Sequence, residues 1–214
     1  HLDYFVWLLR SESETILVDT GYDDTEATNR GRPIIRNPSR SLEALNVSAM
    51  DIDTVIVTHL HYDHAGGLSH YPNAVFHLQD SEMAYATGRC MCSDVLQMPF
   101  TADHVCDMVK NVYSGRVVFH DGDGYIADGV TVHHVGGHSR GLQAVRVKTQ
   151  SGYLCLASDA SHFYENFVSR KPFPIVVDVE DMFTGYQIIE SNCPKTWVIY
   201  IWDSEAVRLV GPSE

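Results

Sequence analysis

The sequence predicts an α/β fold in which two β-sheets are covered by helices. Short apolar runs typical of strands occur in both halves of the chain, and amphipathic segments lie between them. The chain has 214 residues, of which 44% are hydrophobic and 20% charged, as in ordinary globular proteins. We therefore expect one domain over residues 1–214. The chain opens at His1 without an initiator methionine, so we expect the N-terminus to be incomplete.

Strands are expected where short runs of aliphatic and aromatic residues are bounded by Gly, Asp or polar turns. From the N-terminus onward these runs are 4–9, 15–19, 54–58, 74–78, 117–119, 130–132, 144–147, 153–157 and 196–201. Their spread over both halves of the chain is what predicts two sheets rather than one.

Helices are expected where apolar residues recur with a period of three to four. The expected segments are 41–46, a helix starting near 63 or 64, 81–87, 102–113 and 179–190. In the first of them Leu42 and Leu45 should face inward. Residues 22–38 are rich in Asp, Arg, Gly and Pro, which predicts a loop.

Residues 88–115 form the least regular part of the chain. Met98 and Phe100 in this segment are expected in the core. Because the segment is inserted between two candidate ligand regions, it is also well placed to wall a pocket.

Acidic residues outnumber basic ones. The 28 Asp and Glu against 15 Lys and Arg give a formal net charge of -13. A field of this sign repels polyanions, so we expect no nucleic-acid partner. Four arginines come nearest to a basic patch, and we interpret them as solvated surface: Arg30, Arg32, Arg36 and Arg40.

The five cysteines are an odd number without a CxxC pair, which predicts reduced thiols in a cytoplasmic protein. No run reaches the roughly 18 consecutive apolar residues of a membrane span, and no signal peptide is recognisable. We therefore expect no membrane association.

Most of the candidate chemistry lies in residues 58–64, which read Thr-His-Leu-His-Tyr-Asp-His. Alternate side chains of an extended segment share a face, so His59 and His61 should point the same way. A turn must follow, because Asp63 and His64 are adjacent and two glycines come next. Zinc prefers imidazole and carboxylate ligands, and burying such a cluster without a metal is costly. The segment therefore predicts ligands for two metal ions.

Two later positions also follow strands. His138 stands after a Gly-Gly pair, and Asp159 ends another apolar run. Together with the HxHxDH motif of residues 59–64, and in this order, they resemble the metallo-β-lactamase superfamily. The resemblance begins at Asp19-Thr20-Gly21 and covers nearly the whole chain.

The resemblance implies an αβ/βα four-layer sandwich with a dinuclear site along one edge. It also implies a metallo-hydrolase in which a metal-bound hydroxide attacks the substrate while Asp63 accepts or relays a proton. The implied cofactor is two zinc ions, with iron or manganese as alternatives. By motif position the first metal would be held by His59, His61 and His138, and the second by Asp63 and His64, with Asp159 bridging both.

The end of the chain departs from the family pattern. Most dinuclear members carry a last histidine, in a Gly-His-Asp triplet, as a ligand of the second metal. This chain reads Ile201-Trp202-Asp203 there, and an indole nitrogen carries only a donor hydrogen. We expect the second metal to bind more weakly, and Trp202→His to raise its occupancy. The alternative is that another histidine, such as His162, takes the place.

Around His138 the chain reads Gly-His-Ser-Arg-Gly-Leu-Gln, which resembles the N-acyl homoserine lactonase branch. The resemblance implies a hydrolase that opens a small-molecule lactone or a similar ester, with quorum quenching as its role. Some lactonases carry a tyrosine three residues past the bridging aspartate, where it contacts the substrate carbonyl. This chain has His162 there, and we expect it to donate a hydrogen bond to that carbonyl. A histidine satisfied by a backbone carbonyl is the open alternative.

Three other functions stay open. A glyoxalase II-like thioesterase would share the metals. A persulfide dioxygenase-like oxidoreductase would use one iron held by two histidines and an aspartate. A catalytically decayed metal-binding protein would keep the ligands without turnover. The substrate ring and acyl chain, the native metal and the oligomeric state are also left open.

Overall fold

The computed structural model describes residues 4–150, 152–192 and the backbone of 198–200. These residues form two five-stranded sheets accompanied by helices, which confirms the predicted α/β class with two sheets. Trp202 and Asp203 lie outside the described residues. Among the helices that are described, none has the length and apolar composition needed to cross a membrane.

The chain divides into two compact units. Residues 6–119 make the first unit, and residues 1–5 together with those from 120 onward make the second. Each unit contains one end of the ligand pattern that the sequence singled out. The expectation of a single domain over 1–214 stays a prediction.

The sheet of the first unit has the strand order β1-β2-β3-β4-β5. The strands are β1 (Trp7–Arg10), β2 (Thr15–Val18), β3 (Thr54–Ile56), β4 (Val75–Gln79) and β5 (Val117–His120). β1 and β2 are antiparallel, whereas β2, β3 and β4 run parallel. Val55 and Ile56 are fully buried, as expected for an interior strand of a parallel sheet. The loops after β2 and β3 therefore leave the same edge of the sheet.

Six helices belong to this unit: α1 (Asp24–Arg30), α2 (Pro38–Glu43), α3 (Tyr62–Ala65), α4 (Asp80–Ala86), α5 (Asp94–Gln97) and α6 (Ala102–Tyr113). α6 matches its predicted bounds, and Val105 and Met108 are buried on its inner face. The helix predicted to start near residue 63 or 64 is confirmed as α3, which begins at Tyr62. The helix predicted over 81–87 is confirmed as α4, within one residue at each end.

The prediction of a loop over 22–38 is wrong, because α1 lies within that range. The Asp23 side chain accepts a hydrogen bond from the backbone N–H of Glu26 at 2.8 Å and so caps the helix. Glu26 and Arg30 then pair across one turn. Asp followed three residues later by Glu is a helix-start signal that the acidic composition of the segment concealed.

Two expected core residues are exposed. α2 begins at Pro38 with Asn37 as its N-cap and ends at Glu43, so Leu45 lies beyond the helix and is 53% exposed. Met98 is 58% exposed, and its backbone carbonyl accepts a hydrogen bond from Arg30. Leu42 and Phe100 are buried as predicted.

The sheet of the second unit has the order β10-β9-β8-β7-β6, with β10 parallel to β9 and the other pairs antiparallel. Its strands are β6 (Gly124–Ala127), β7 (Val130–His134), β8 (Gln143–Thr149), β9 (Gly152–Ser158) and β10 (Val198–Tyr200). Its helices are α7 (Tyr164–Ser169) and α8 (Val179–Asn192). The sequence did not predict β6 or α7, which are short and carry no strong apolar period.

Candidate metal centre

The loop that follows β3 concentrates three histidines and an aspartate in the interior of the first unit. The ring centroids of His59 and His61 are 4.4 Å apart, and those of His59 and His64 are 4.1 Å apart. The carboxylate of Asp63 lies 3.7 Å from Nε2 of His64. None of the four side chains is more than 6% exposed. The predicted turn therefore brings both halves of the HxHxDH motif together.

Asp19, which directly follows β2, anchors this loop through hydrogen bonds to its carboxylate. Its Oδ1 accepts the backbone N–H of Thr58 at 2.7 Å, and its Oδ2 accepts the Thr58 hydroxyl at 2.8 Å. Oδ2 also lies 2.8 Å from Nδ1 of His64. A carboxylate only accepts, so Nδ1 of His64 carries the proton, and in this neutral tautomer Nε2 presents its lone pair. Asp19 thereby fixes the tautomer that suits a metal ligand.

The Asp19 carboxylate also determines which ring nitrogen of His59 carries the proton, and it acts through the Thr58 hydroxyl. The Thr58 hydroxyl donates to Asp19, so its oxygen accepts from Nδ1 of His59, 3.1 Å away. The lone pair of His59 is then on Nε2 as well. One buried carboxylate thus orients two imidazoles.

Two contacts from other elements fix the backbone of the ligand loop. The carboxylate of Glu82, a fully buried residue of α4, accepts the N–H of Leu60 at 2.9 Å. The N–H of Tyr62 donates to the Pro99 carbonyl at 2.8 Å. The backbones of Phe100 and His61 pair in an isolated antiparallel β-bridge. The Phe100 ring lies edge-on to the His61 imidazole, with centroids 4.7 Å apart. The 88–115 segment therefore packs against the ligand loop.

Two of the arginines that were interpreted as solvated surface contact this region instead. The Arg30 guanidinium lies 3.9 Å from the centroid of the Tyr62 ring and donates to the carbonyls of Met98 and Phe100. Arg32 donates to the Tyr62 hydroxyl. The surface interpretation is wrong for Arg30, which is partly buried and packs on the ring face of a buried tyrosine next to the ligands. Arg32 is exposed, as interpreted, although it also contacts this tyrosine.

The second unit contains its own cluster of buried side chains that can bind a metal. Nε2 of His138 lies 3.1 Å from Oδ2 of Asp159, and Nε2 of His162 lies 3.4 Å from the same oxygen. One donor atom from each of the three residues fits within a 4.8 Å span. All three side chains are at most 3% exposed.

His138 is held by the segment that precedes α8. Its Nδ1 lies 2.8 Å from the Ile175 carbonyl, and a carbonyl only accepts, so Nδ1 carries the proton. The Gly137 carbonyl accepts the N–H groups of Val177 and Asp178. Gly137 has φ +81°, and a Cβ there would lie 2.6 Å from the Met182 backbone, so only glycine fits the turn.

The donor atoms of the second cluster fit a metal ion. With its proton on Nδ1, a neutral His138 turns the lone pair of Nε2 toward the carboxylate oxygen of Asp159, 3.1 Å away. Two acceptors at this distance repel each other unless a cation lies between them. Imidazole and carboxylate are the ligands of zinc and of related divalent ions.

The structure thus places the expected ligands in two buried clusters, one in each unit. His59, His61, Asp63 and His64 lie together in the first, and His138 and Asp159 lie together in the second. Sequence reasoning missed Asp19 and Glu82, which orient the ligands. Only the Asp-Thr-Gly turn after β2 signalled Asp19 beforehand.

Comparison with known proteins gives consistent results. The family model of the metallo-beta-lactamase superfamily matches residues 2–208. An N-acyl homoserine lactonase of Bacillus thuringiensis is 28% identical over 188 residues, which cover 81% of this chain and 70% of that protein.

Solved structures share the fold. An N-acyl homoserine lactone hydrolase with N-hexanoyl-L-homoserine bound at its catalytic metal centre has a TM-score of 0.80 and 23% identity, covering 98% of this chain and 85% of that one. A dizinc quorum-quenching lactonase has a TM-score of 0.68 and 17% identity, covering 91% and 70%. The family match and the shared fold confirm the α/β fold of the metallo-β-lactamase type and the lactonase-like resemblance. The chain therefore belongs to the metallo-beta-lactamase superfamily and is a metallo-hydrolase of that family.

Proposed function

We propose that this metallo-hydrolase opens the ring of a lactone, with N-acyl homoserine lactones as the substrate class, and that its cofactor is two zinc ions. The lactone rests on the 28% identity to an N-acyl homoserine lactonase. The zinc rests on the imidazole and carboxylate donors and on the likeness to a dizinc lactonase.

We further propose how the donors are used. The lone pairs of His59, His64 and His138 are directed by partners that accept the Nδ1 proton. The proposed ligands of the first ion are His59, His61 and His138, and those of the second are Asp63 and His64, with Asp159 shared by both.

Bound zinc would supply an acidified water and an electrophile for the lactone carbonyl. The chain's own contribution to proton movement is Asp63. Its carboxylate is buried and lies 3.7 Å from Nε2 of His64, which restricts how it can turn. We propose that it accepts the proton of the attacking water and passes it to the leaving alkoxide.

Metal analysis of the purified protein combined with substrate assays tests the proposal. N-hexanoyl homoserine lactone is the probe, and its ring opening is measured from the proton that the product acid releases. A glutathione thioester tests the glyoxalase II-like alternative, and oxygen uptake with glutathione persulfide tests the dioxygenase. Two zinc equivalents with lactone turnover support the proposal. One iron with oxygen uptake, or bound metal with no turnover, would contradict it.

Asp63→Ala should abolish turnover while the protein stays folded. General acid–base groups contribute about 10²- to 10⁴-fold to rate, so kcat should fall at least by that factor. Asp51→Asn, an exposed change in the same unit, serves as the control. Circular dichroism establishes folding for both variants. Wild-type turnover in Asp63→Ala would show that the proposed proton path is wrong.

The cytoplasmic location also stays a proposal, supported by thiol state. Within the described residues four cysteines are free thiols: Cys90, Cys92, Cys106 and Cys155. A small-molecule lactone is the proposed partner, and the absence of nucleic-acid and membrane partners stays a prediction from charge and composition.

A further inference from the structure

We propose that His162 is a metal ligand that binds, through Nε2, an ion that Asp159 also binds. The assignment rests on the proposed function in so far as that function requires metal at Asp159. It adds a seventh protein ligand to the six that motif position implies. It also replaces the carbonyl contact that the sequence predicts for this residue.

The distances at Asp159 match the spacing of ligands around one ion. Ligand atoms about 2.1 Å from a tetrahedral ion lie about 3.4 Å from each other. Oδ2 of Asp159 is 3.1 Å from Nε2 of His138 and 3.4 Å from Nε2 of His162. Both imidazole nitrogens thus lie at ligand separations from the Asp159 oxygen.

The geometry around His138 suits a cation as the common partner. Its Nδ1 donates to the Ile175 carbonyl, so in the neutral tautomer Nε2 faces Asp159 with its lone pair. Nε2 of His162 converges on the same oxygen. An ion at that point would be bound by both imidazoles and the carboxylate.

The His162 ring is fixed in this direction. It stacks on Phe173, with centroids 4.2 Å apart and planes 21° from parallel, and it meets the His138 ring edge-on at 5.1 Å. The side chain is 3% exposed, within the range of the proposed ligands. A preoriented, buried imidazole loses little conformational freedom on binding a metal.

One nitrogen cannot take both of the roles considered. Nε2 bound to a metal has no proton to donate to a substrate carbonyl, whereas a donor to the carbonyl leaves the metal with one imidazole fewer. The family pattern places a further histidine where this chain has Trp202. Because His138 is a proposed ligand of the first ion, ligation by His162 beside it adds an imidazole to that ion and not to the second one.

The experiment compares His162→Ala and His162→Gln with wild type in the cobalt-substituted and zinc-loaded proteins. Gln can still hydrogen-bond Asp159 but is a poor metal ligand, so it separates ligation from positioning. His120→Gln is the control, because His120, at the end of β5, is a half-buried histidine with no proposed role. Thermal melts of all variants establish folding.

Ligation predicts the same metal loss in both His162 variants. Affinity for the Asp159-linked ion should fall more than about 100-fold, beyond the loss typical of an outer-shell residue. The cobalt d–d spectrum should change, and X-ray absorption should count fewer imidazoles per metal. His120→Gln should keep the wild-type spectrum.

The other outcomes are distinct. The ligand assignment would be overturned if His162→Gln kept the cobalt spectrum and the metal affinity of wild type. Lactone turnover by the wild-type protein would then leave the proposed function intact. Metal loss in both variants without lactone turnover in the parent would support the ligand and contradict the lactone. A parent protein that retains no metal would contradict both.

Discussion

At the scale of single residues, the carboxylate of Asp19 is the contact on which the ligand loop depends most. It accepts three hydrogen bonds and is fully buried. Its backbone has φ +61°, in the left-handed region that Asp and Asn tolerate better than most residues. The position therefore requires a short side chain with two acceptor oxygens, which Asp alone provides.

Asp19→Asn should weaken metal binding by about 10- to 100-fold, as loss of an outer-shell carboxylate does. Asn keeps the left-handed backbone, but its amide N–H₂ would face the hydrogens of Thr58 and His64. Competition with a zinc chelator measures the change. Asp51→Asn, on the surface of the same unit, should leave affinity unchanged. Equal affinities in the two variants would show that Asp19 does not orient His64.

Local spacing explains why the ligands could be predicted and their supports could not. The four ligands from His59 to His64 lie within six consecutive residues. Their residue types and their order are therefore enough to predict a metal site. Asp19 and Glu82 reach this loop from β2 and α4, and such pairing depends on how strands and helices stack. His162 had a signal in its spacing from Asp159, but spacing alone does not decide between a metal and a carbonyl.

At the scale of elements, errors arose where a short helix has a polar composition. α1 contains no apolar stripe, and its stability comes from the Asp23 cap and the Glu26–Arg30 pair. Burial raises the pKa of Glu26, but hydrogen bonds from Arg30, Thr101 and Asn29 outweigh it and leave that pKa lowered. Periodicity therefore predicts α6 and α8 well and says little about α1.

Gly137→Ala should destabilise the second unit and loosen His138. Strain at positive φ costs about 1–2 kcal/mol, and forcing a Cβ against the α8 backbone adds about 1–3 kcal/mol. The matched control is Gly115→Ala, with φ +73° and no atom within 4 Å of the added Cβ. Urea unfolding measures both, and equal losses would show that contact with Met182 contributes nothing.

His104 in α6 should make stability fall in mild acid. Burial lowers its pKa, an effect that Asp23 and Glu26 oppose without reversing. Below about pH 6.5 the unfolded chain protonates this histidine while the folded chain keeps it neutral. The free energy of unfolding then decreases as pH falls, by at most about 1.4 kcal/mol per pH unit.

The His104→Gln variant should lose part of that dependence. Urea unfolding at pH 7.5 and pH 5.5 should give a smaller difference for His104→Gln than for wild type. His70→Gln, a half-buried change elsewhere in the unit, is the comparison. If the free energy of unfolding changed as much between the two pH values in His104→Gln as in wild type, the acid sensitivity would belong to other groups.

At the scale of the whole molecule, both buried clusters tie stability to metal. Removing the ions should lower the free energy of unfolding. The expected decrease is about 2.7 kcal/mol per site, relative to protein in a free metal concentration 100 times the dissociation constant. The lone pairs and carboxylates directed at the ions would otherwise repel each other in the interior. Melting curves with and without a chelator measure the shift. An unchanged melting temperature would indicate that the clusters are stable without metal.

The fold class could be predicted because apolar strands are local features, and the family resemblance rests on motifs in a fixed order. The strand order in each sheet could not, since it depends on pairing between distant segments such as β10 and β9. The exposed Leu45 and Met98 show the same limit, because hydrophobicity does not say which side of a turn faces the core.

The contiguity of His59, His61, Asp63 and His64 has a consequence for how the protein acquires its metal. Donors separated by so few residues need almost no loop closure, so little chain entropy opposes their meeting. A growing polypeptide has all four as soon as this segment leaves the ribosome, long before His138 or Asp159 is made. The ion present during synthesis therefore competes first for this loop, and growth medium, more than later reconstitution, should govern which metal the purified protein contains.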